Sequence, residues 1–177
     1  MSERKQNKKI DKRAPVIVGV GDLVDRSKED GLNPQELLAE ACEQAIQDSG
    51  IKELSKHIDY VGVVRFTVDF LTATNQSNFQ YSNFPRTLAN KLNISAKNEV
   101  YAPMGGNSPQ VLLEDALVKI STGETDCALL SGGEALQTMI AKLKAGMSLD
   151  WLDEPGGSPE MIGNNDIGFS DHEKLHG

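Results

Sequence analysis

The chain has 177 residues, 38% of them hydrophobic and 25% charged, with a formal net charge of -8; that balance is ordinary for a globular domain with one core and excludes a disordered or fibrous chain. No apolar run approaches the roughly 20 residues needed to cross a bilayer and the N-terminus carries no apolar h-region, so a cytoplasmic protein without a membrane span is expected. Residues 1–13 carry Arg4, Lys5, Lys8, Lys9, Lys12 and Arg13 against Glu3 and Asp11, a balance of +4 that leaves -12 on the rest; a basic leader on an acidic body is not a nucleic-acid face, and the leader reads as a solvated, disordered tail.

From residue 14 onward strand and helix patterns alternate. Pro15 to Val20 is a continuous β-branched run, which predicts a first strand buried on both faces in a parallel sheet. Asn33-Pro34-Gln35-Glu36 supplies a cap, a proline at the first helical position and a glutamate at the third, and Gly50 a stop, so a helix is expected over 34–49. Its residues Leu37, Leu38, Ala41, Cys42, Ala45 and Ile46 share one face and would lie on the sheet. Tyr60 to Phe66 reads as the second strand. Residues 67–84 mix Thr, Asn, Gln and Ser with Phe70, Phe79, Tyr81 and Phe84, too long and aromatic for a plain connection; a partner or substrate contact and a packed excursion are both open there. Pro85 opens a short helix to Leu92, and Glu99 to Ala102 is a third strand.

The third strand runs into Gly105-Gly106-Asn107-Ser108-Pro109-Gln110. Asn107 or Ser108 can cap, Pro109 takes the first helical position, Leu112, Leu113, Ala116, Leu117 and Ile120 form the buried stripe, and Gly123 ends the helix. A glycine-rich turn feeding a helix N-terminus presents free amides and the positive end of the macrodipole, an anion or oxyanion site. Cys127 to Leu130 is a fourth strand, broken by Ser131-Gly132-Gly133-Glu134, after which Leu136, Met139, Ile140 and Leu143 mark another amphipathic segment. The order implies right-handed crossovers and a mainly parallel sheet covered by helices, an α/β fold. Cys42 and Cys127 sit far apart inside apolar patterns, as small core residues and not as a disulfide or a zinc pair.

The block from Val100 to Ala135 (VYAPMGGNSPQVLLEDALVKISTGETDCALLSGGEA), with the opening Pro15 to Gly21, resembles the N-terminal part of the thiolase superfamily. The Gly105–Gln110 turn and the closing Gly168-Phe169-Ser170-Asp171-His172-Glu173 resemble, more narrowly, the branch labelled acetyl-CoA acetyltransferase, near the sterol-carrier-protein type. The resemblance implies a thiolase-like N-terminal half and acyl transfer between coenzyme A thioesters, with a coenzyme A thioester as substrate or ligand and no bound cofactor. It implies substrate binding at Gly105, Gly106, Asn107 and Ser108. Thiolase chemistry uses a thiolate at this helix start, an oxyanion hole and an acid/base pair. The resemblance puts the nucleophilic cysteine at the position of Gly106, with Gly105 the neighbouring choice, so no catalytic residue is expected in this chain. Ser108 lacks an adjacent base in the sequence and reads as a cap; Cys127, a helix and a turn away, is a poor substitute.

Family motifs that would supply the histidine and second cysteine are not met. The expected organisation is the leader 1–13, a thiolase-like α/β domain over 14–146, and an irregular insert over 147–177 that begins a missing continuation. The expected partners are acyl-CoA and either a second copy or a missing C-terminal half. His57 is expected to face solvent. His172 and His176, four residues apart, suit one helix face but have no third ligand, so no metal site is expected. The alternatives are a non-catalytic acyl-CoA-binding or interaction module on the same scaffold, and a dinucleotide site at Gly19-Val20-Gly21, where Val24 stands in place of the third glycine.

Overall fold

The computed structural model describes residues 11–67 and 81–163. Residues 1–10 of the leader, Phe70 and Phe79, the Gly168–Glu173 motif and both His172 and His176 lie outside the described residues. The capping box predicted at Asn33 forms. Glu36 N–H donates to Asn33 Oδ1 at 2.9 Å and Asn33 N–H to Glu36 Oε2 at 3.1 Å, which starts helix α1 (Pro34–Asp48). Strand β1 (Tyr60–Val64), helix α2 (Phe84–Lys91), strand β2 (Asn98–Ala102), helix α3 (Ser108–Thr122), strand β3 (Ala128–Ser131), helix α4 (Leu136–Lys144) and the short strand β4 (Glu160–Met161) follow.

The strands form one four-stranded sheet in the order β3-β1-β2-β4. Every pairing is parallel, with Tyr60 opposite Asn98 and Ala128, and Val100 opposite Glu160. Alternation along β1 builds two cores of unequal size. Val61 and Val63 face Leu38, Cys42, Leu88 and Tyr101 on the side of α1 and α2, while Tyr60 joins Val100, Leu112 and Ala116 on the side of α3. Helix α3 can lie this close because residue 62 is glycine: a Cβ there would sit 2.8 Å from Leu112 Cδ1. The sheet is thus covered by helices on both faces, as the periodicity predicted.

Asp59 ties the starts of the strands together. Its carboxylate accepts from Asp126 N–H at 3.2 Å and Cys127 N–H at 3.3 Å, and its carbonyl from Lys97 and Asn98 N–H at 2.8 and 3.0 Å. These backbone donors have no strand partner at the bottom of a parallel sheet, and the buried aspartate supplies one. The segment 147–177, expected to be an irregular insert, contributes β4 to the sheet, and its Leu149 and Trp151 are buried in the larger core. The 154–157 turn is held by Arg86 and Asn83, which both donate to Gly156 O.

Pro15 to Val20 does not form the predicted strand. The run pairs with no strand among the described residues, and Val16 and Ile17 are 76% and 78% exposed. It lies instead along α1, where a Cβ on Gly19 or Gly21 would collide with the carbonyl oxygens of Ala45 and Ala41. Val20 N–H donates to Asp48 Oδ2 at 2.9 Å. β-Branched composition records a fit to a pleated, half-buried surface, and here no strand lies beside the run to provide one. The two glycines are used for close approach to a helix, which also removes the basis of the dinucleotide reading.

Candidate functional site

Helix α3 begins at Ser108 with Asn107 as its cap residue. The Asn107 carbonyl accepts from Gln110 and Val111 N–H, both at 3.1 Å, and Ser108 N–H turns back to Gly105 O at 3.1 Å. Asn107 makes no side-chain capping bond and has φ -94° and ψ -8°; the Ser108, Gln110 and Val111 N–H groups of the first turn are taken by backbone carbonyls instead. Ser108 is not the cap that its residue type suggests; it is the first helical residue and is buried. Pro109 accordingly occupies the second helical position, where its missing N–H still costs nothing.

Gly105, Gly106 and Asn107 are exposed, so the structure gathers the expected site residues at one helix end with Ser108 beneath them. The two glycines differ in what they permit. A Cβ on Gly105 would press on Asn107 Oδ1 and Ser108 Oγ at 3.2 Å, whereas one on Gly106 meets no atom within 4 Å. Neither glycine has a positive φ. Neither backbone conformation nor space demands glycine at residue 106.

A cleft of about 410 Å³ opens beside this turn, lined by Val64, Arg65, Pro109, Leu112, Leu130, Ser131, Gly132, Gly133 and Glu134. It sits at the carboxyl ends of β1 and β3 against the first turns of α3, the place where open parallel sheets bind ligands. Its volume lies within the usual range for a small-molecule site. Its two charged side chains are engaged elsewhere. Glu134 Oε1 accepts from Thr67 N–H and Thr67 Oγ1 at 2.8 and 2.7 Å, and the Arg65 guanidinium stacks 5.0 Å from the centre of the Tyr101 ring. Of these lining residues, the sequence pattern marked Pro109 and Leu112 as helix positions and residues 131–134 only as the end of a strand. Their position at strand carboxyl ends is the signal that could have found the cleft.

Neither cysteine has the lowered pKa of an activated thiolate. Burial pushes the Cys42 thiol up to about 11, with the Ser131 hydroxyl pulling it partly back and Glu43 adding to the rise. The Cys127 thiol is also raised, first by burial and then by Asp59 and Asp126. Both stay protonated near neutrality, the opposite of an activated thiolate. His57 is exposed at the end of the 54–56 turn. Among the described residues no group of three His, Cys, Asp or Glu side chains is placed to hold a metal ion. No helix among them is long and apolar enough to cross a membrane.

No protein-family model matches the chain, and no curated protein matches it. Among solved structures it is similar to a monomeric SCP2-thiolase-like protein, type 1, from Mycobacterium smegmatis, at 32% identity and a TM-score of 0.53 over 69% of this chain. The chain has a thiolase-like fold. It spans 24% of the length of that neighbour.

Proposed function

We propose that this chain carries the acyl-thioester cradle of a thiolase-like protein in a form that binds a coenzyme A thioester without the nucleophilic step, Gly106 standing where the family's cysteine would attack. The observation that carries this reading is the open space at Gly106. A side chain fits there, at the start of a 15-residue helix, yet the residue present has none. The helix start supplies an electrostatic half of the chemistry, the positive end of a helix dipole that favours a developing or resident negative charge. The covalent half is missing, since the Cys42 thiol is buried, the Cys127 thiol is half-buried and the pKa of each is raised. Support for an acyl thioester over other anions comes from the thiolase-like fold and from the apolar cleft that adjoins the turn.

Isothermal titration of the 177-residue chain with acetyl-CoA tests the reading. Binding is expected, together with its loss in Gly106→Trp, whose indole would fill the space over the helix start. Thiolysis of acetoacetyl-CoA by the same preparation is expected to be undetectable. Unchanged binding in Gly106→Trp would remove the site from this turn, and measurable turnover would restore the catalytic acyltransferase reading.

A further inference from the structure

Residues 160–163 touch both arms of the turn at Gly105 to Ser108. On the strand side, Glu160 and Met161 pair with Val100 and Tyr101 of β2, which leads into the turn, and Ile162 N–H donates to Tyr101 O at 3.4 Å. On the helix side, Glu160 lies 2.8 Å from the Lys119 ammonium of α3, and Ile162 packs on the smaller core that holds Leu112 and Ala116. Gly163 makes the last contact, at the other end of the helix. A Cβ placed on it would meet Pro103 Cδ at 3.1 Å and Val111 Cγ1 at 3.6 Å, so its backbone lies against the residue two before Gly105 and against the first turn of α3.

The two contacts on α3 are matched in length. Extended chain from residue 160 to 163 covers roughly 10 Å, and the helix from Val111 to Lys119 roughly 12 Å. Strap and helix therefore run side by side, and the start of α3 cannot move away from β2 without giving up one of the contacts. Gly163 suits this place for a second reason: its φ of +78° lies in the left-handed region, where a side chain is strained as well as crowded. We propose that residues 160–163 are a positioning strap for the Gly105–Ser108 turn, holding the start of α3 against the end of β2, with Gly163 as the positioning residue. Gly163 acts through Pro103 and Val111, not by contact with the ligand. The proposal rests on the acyl-thioester reading only for the ligand that the turn takes.

Two readouts on the full chain test it, one with a ligand and one without. Gly163→Ala pushes on Pro103 and is expected to weaken acetyl-CoA binding in titration by at least about tenfold. In a Gly106→Cys background the same change is expected to move the introduced thiol's pKa, read from the pH dependence of alkylation, towards the ordinary value of about 8.5, because the thiol leaves the positive end of the helix. Glu160→Gln, which loosens the other contact on α3, is expected to act in the same direction more weakly, and it decides the matter if Gly163→Ala does not fold by circular dichroism. Ile94→Ala, in the larger core on the other face of the sheet, is expected to lower the urea midpoint while leaving both readouts where they were. Affinity and thiol pKa unmoved by both strap variants, or moved as far by Ile94→Ala, would overturn the strap and leave the thioester reading standing. A thiol pKa moved by the strap variants in a chain that binds no acetyl-CoA would keep the strap and overturn the reading of the turn. Absence of binding together with an unmoved thiol pKa would overturn both.

Discussion

The phenol of Tyr60, at the first residue of the central strand, donates to Asp115 Oδ2 at 2.8 Å, and Lys119 completes the arrangement from one turn further along α3. The Lys119 ammonium lies 3.2 Å from Asp115 and 2.8 Å from Glu160 of β4, with its charge 5.4 Å from the centre of the Tyr60 ring. One helix is thereby fastened to the middle and to the edge of the sheet at the end opposite the cleft. Burial raises the Tyr60 pKa, and the hydrogen bond to Asp115 and the charges of Asp115 and Glu160 raise it further. For Lys119, burial pulls the pKa down, but the hydrogen bonds to Glu160 and Asp115 outweigh it and the net shift is upward.

Both groups therefore hold their protons more tightly in the folded chain than in the unfolded one. Their contribution to stability is complete below the unfolded values of about 10 and is lost as pH rises past them. Tyr60→Phe is expected to cost about 1 kcal/mol at pH 7 through the lost hydrogen bond and to flatten the alkaline decline, since phenylalanine does not ionise. Urea denaturation at neutral pH and above about pH 10 checks this. A decline equally steep in the variant would show that Tyr60 is not the group responsible.

Thiol reactivity follows from the cysteine environments. With the Cys42 thiol pushed up to about 11, its thiolate fraction near neutrality is reduced on the order of a hundredfold. Alkylation by iodoacetamide at pH 7.5 is expected to leave Cys42 unmodified on the timescale in which free cysteine reacts fully, and to proceed once urea unfolds the chain. Rapid labelling of folded Cys42, located by peptide mass, would contradict the buried, protonated thiol on which the absence of a nucleophile rests.

The exposed run beside α1 has a consequence for association. Residues 14–21 carry no charge, and Val16, Ile17, Val18 and Val20 are exposed along them, a strand-forming surface without a strand partner among the described residues. The double variant Ile17→Lys, Val20→Lys is expected to reduce concentration-dependent association in light scattering while changing unfolding free energy by no more than about 0.5 kcal/mol per site. An unaltered association would place the sticky surface elsewhere.

That same run shows where sequence reasoning reaches its limit. Helix α1 was legible because Asn33, Pro34 and Glu36 act on their own backbone, and α3 because Gly123 adopts φ +81° at its end; caps and stops are local chemistry. Burial of Pro15 to Val20 depends on a neighbour many residues away, and no local rule supplies one. The cap of α3 shows the same limit at single-residue scale, since Ser108 and Asn107 are both good caps and only packing put the serine inside. The turn at Gly105 to Ser108 was legible as a place. The cleft next to it was not, because Val64, Leu130 and Glu134 meet Pro109 and Leu112 only after two crossovers bring β1 and β3 side by side.

The most direct test is to place a thiol at residue 106. Gly106→Cys places a side chain where a Cβ meets no atom within 4 Å, at the N-terminus of α3. A thiol pKa clearly below the ordinary value of about 8.5 is expected, read from the pH dependence of alkylation, together with acquisition of one acetyl group from acetyl-CoA, with coenzyme A released, seen by intact mass. An ordinary thiol pKa with no acetyl adduct would contradict the claim that this turn is a thiolase-type cradle lacking only its nucleophile.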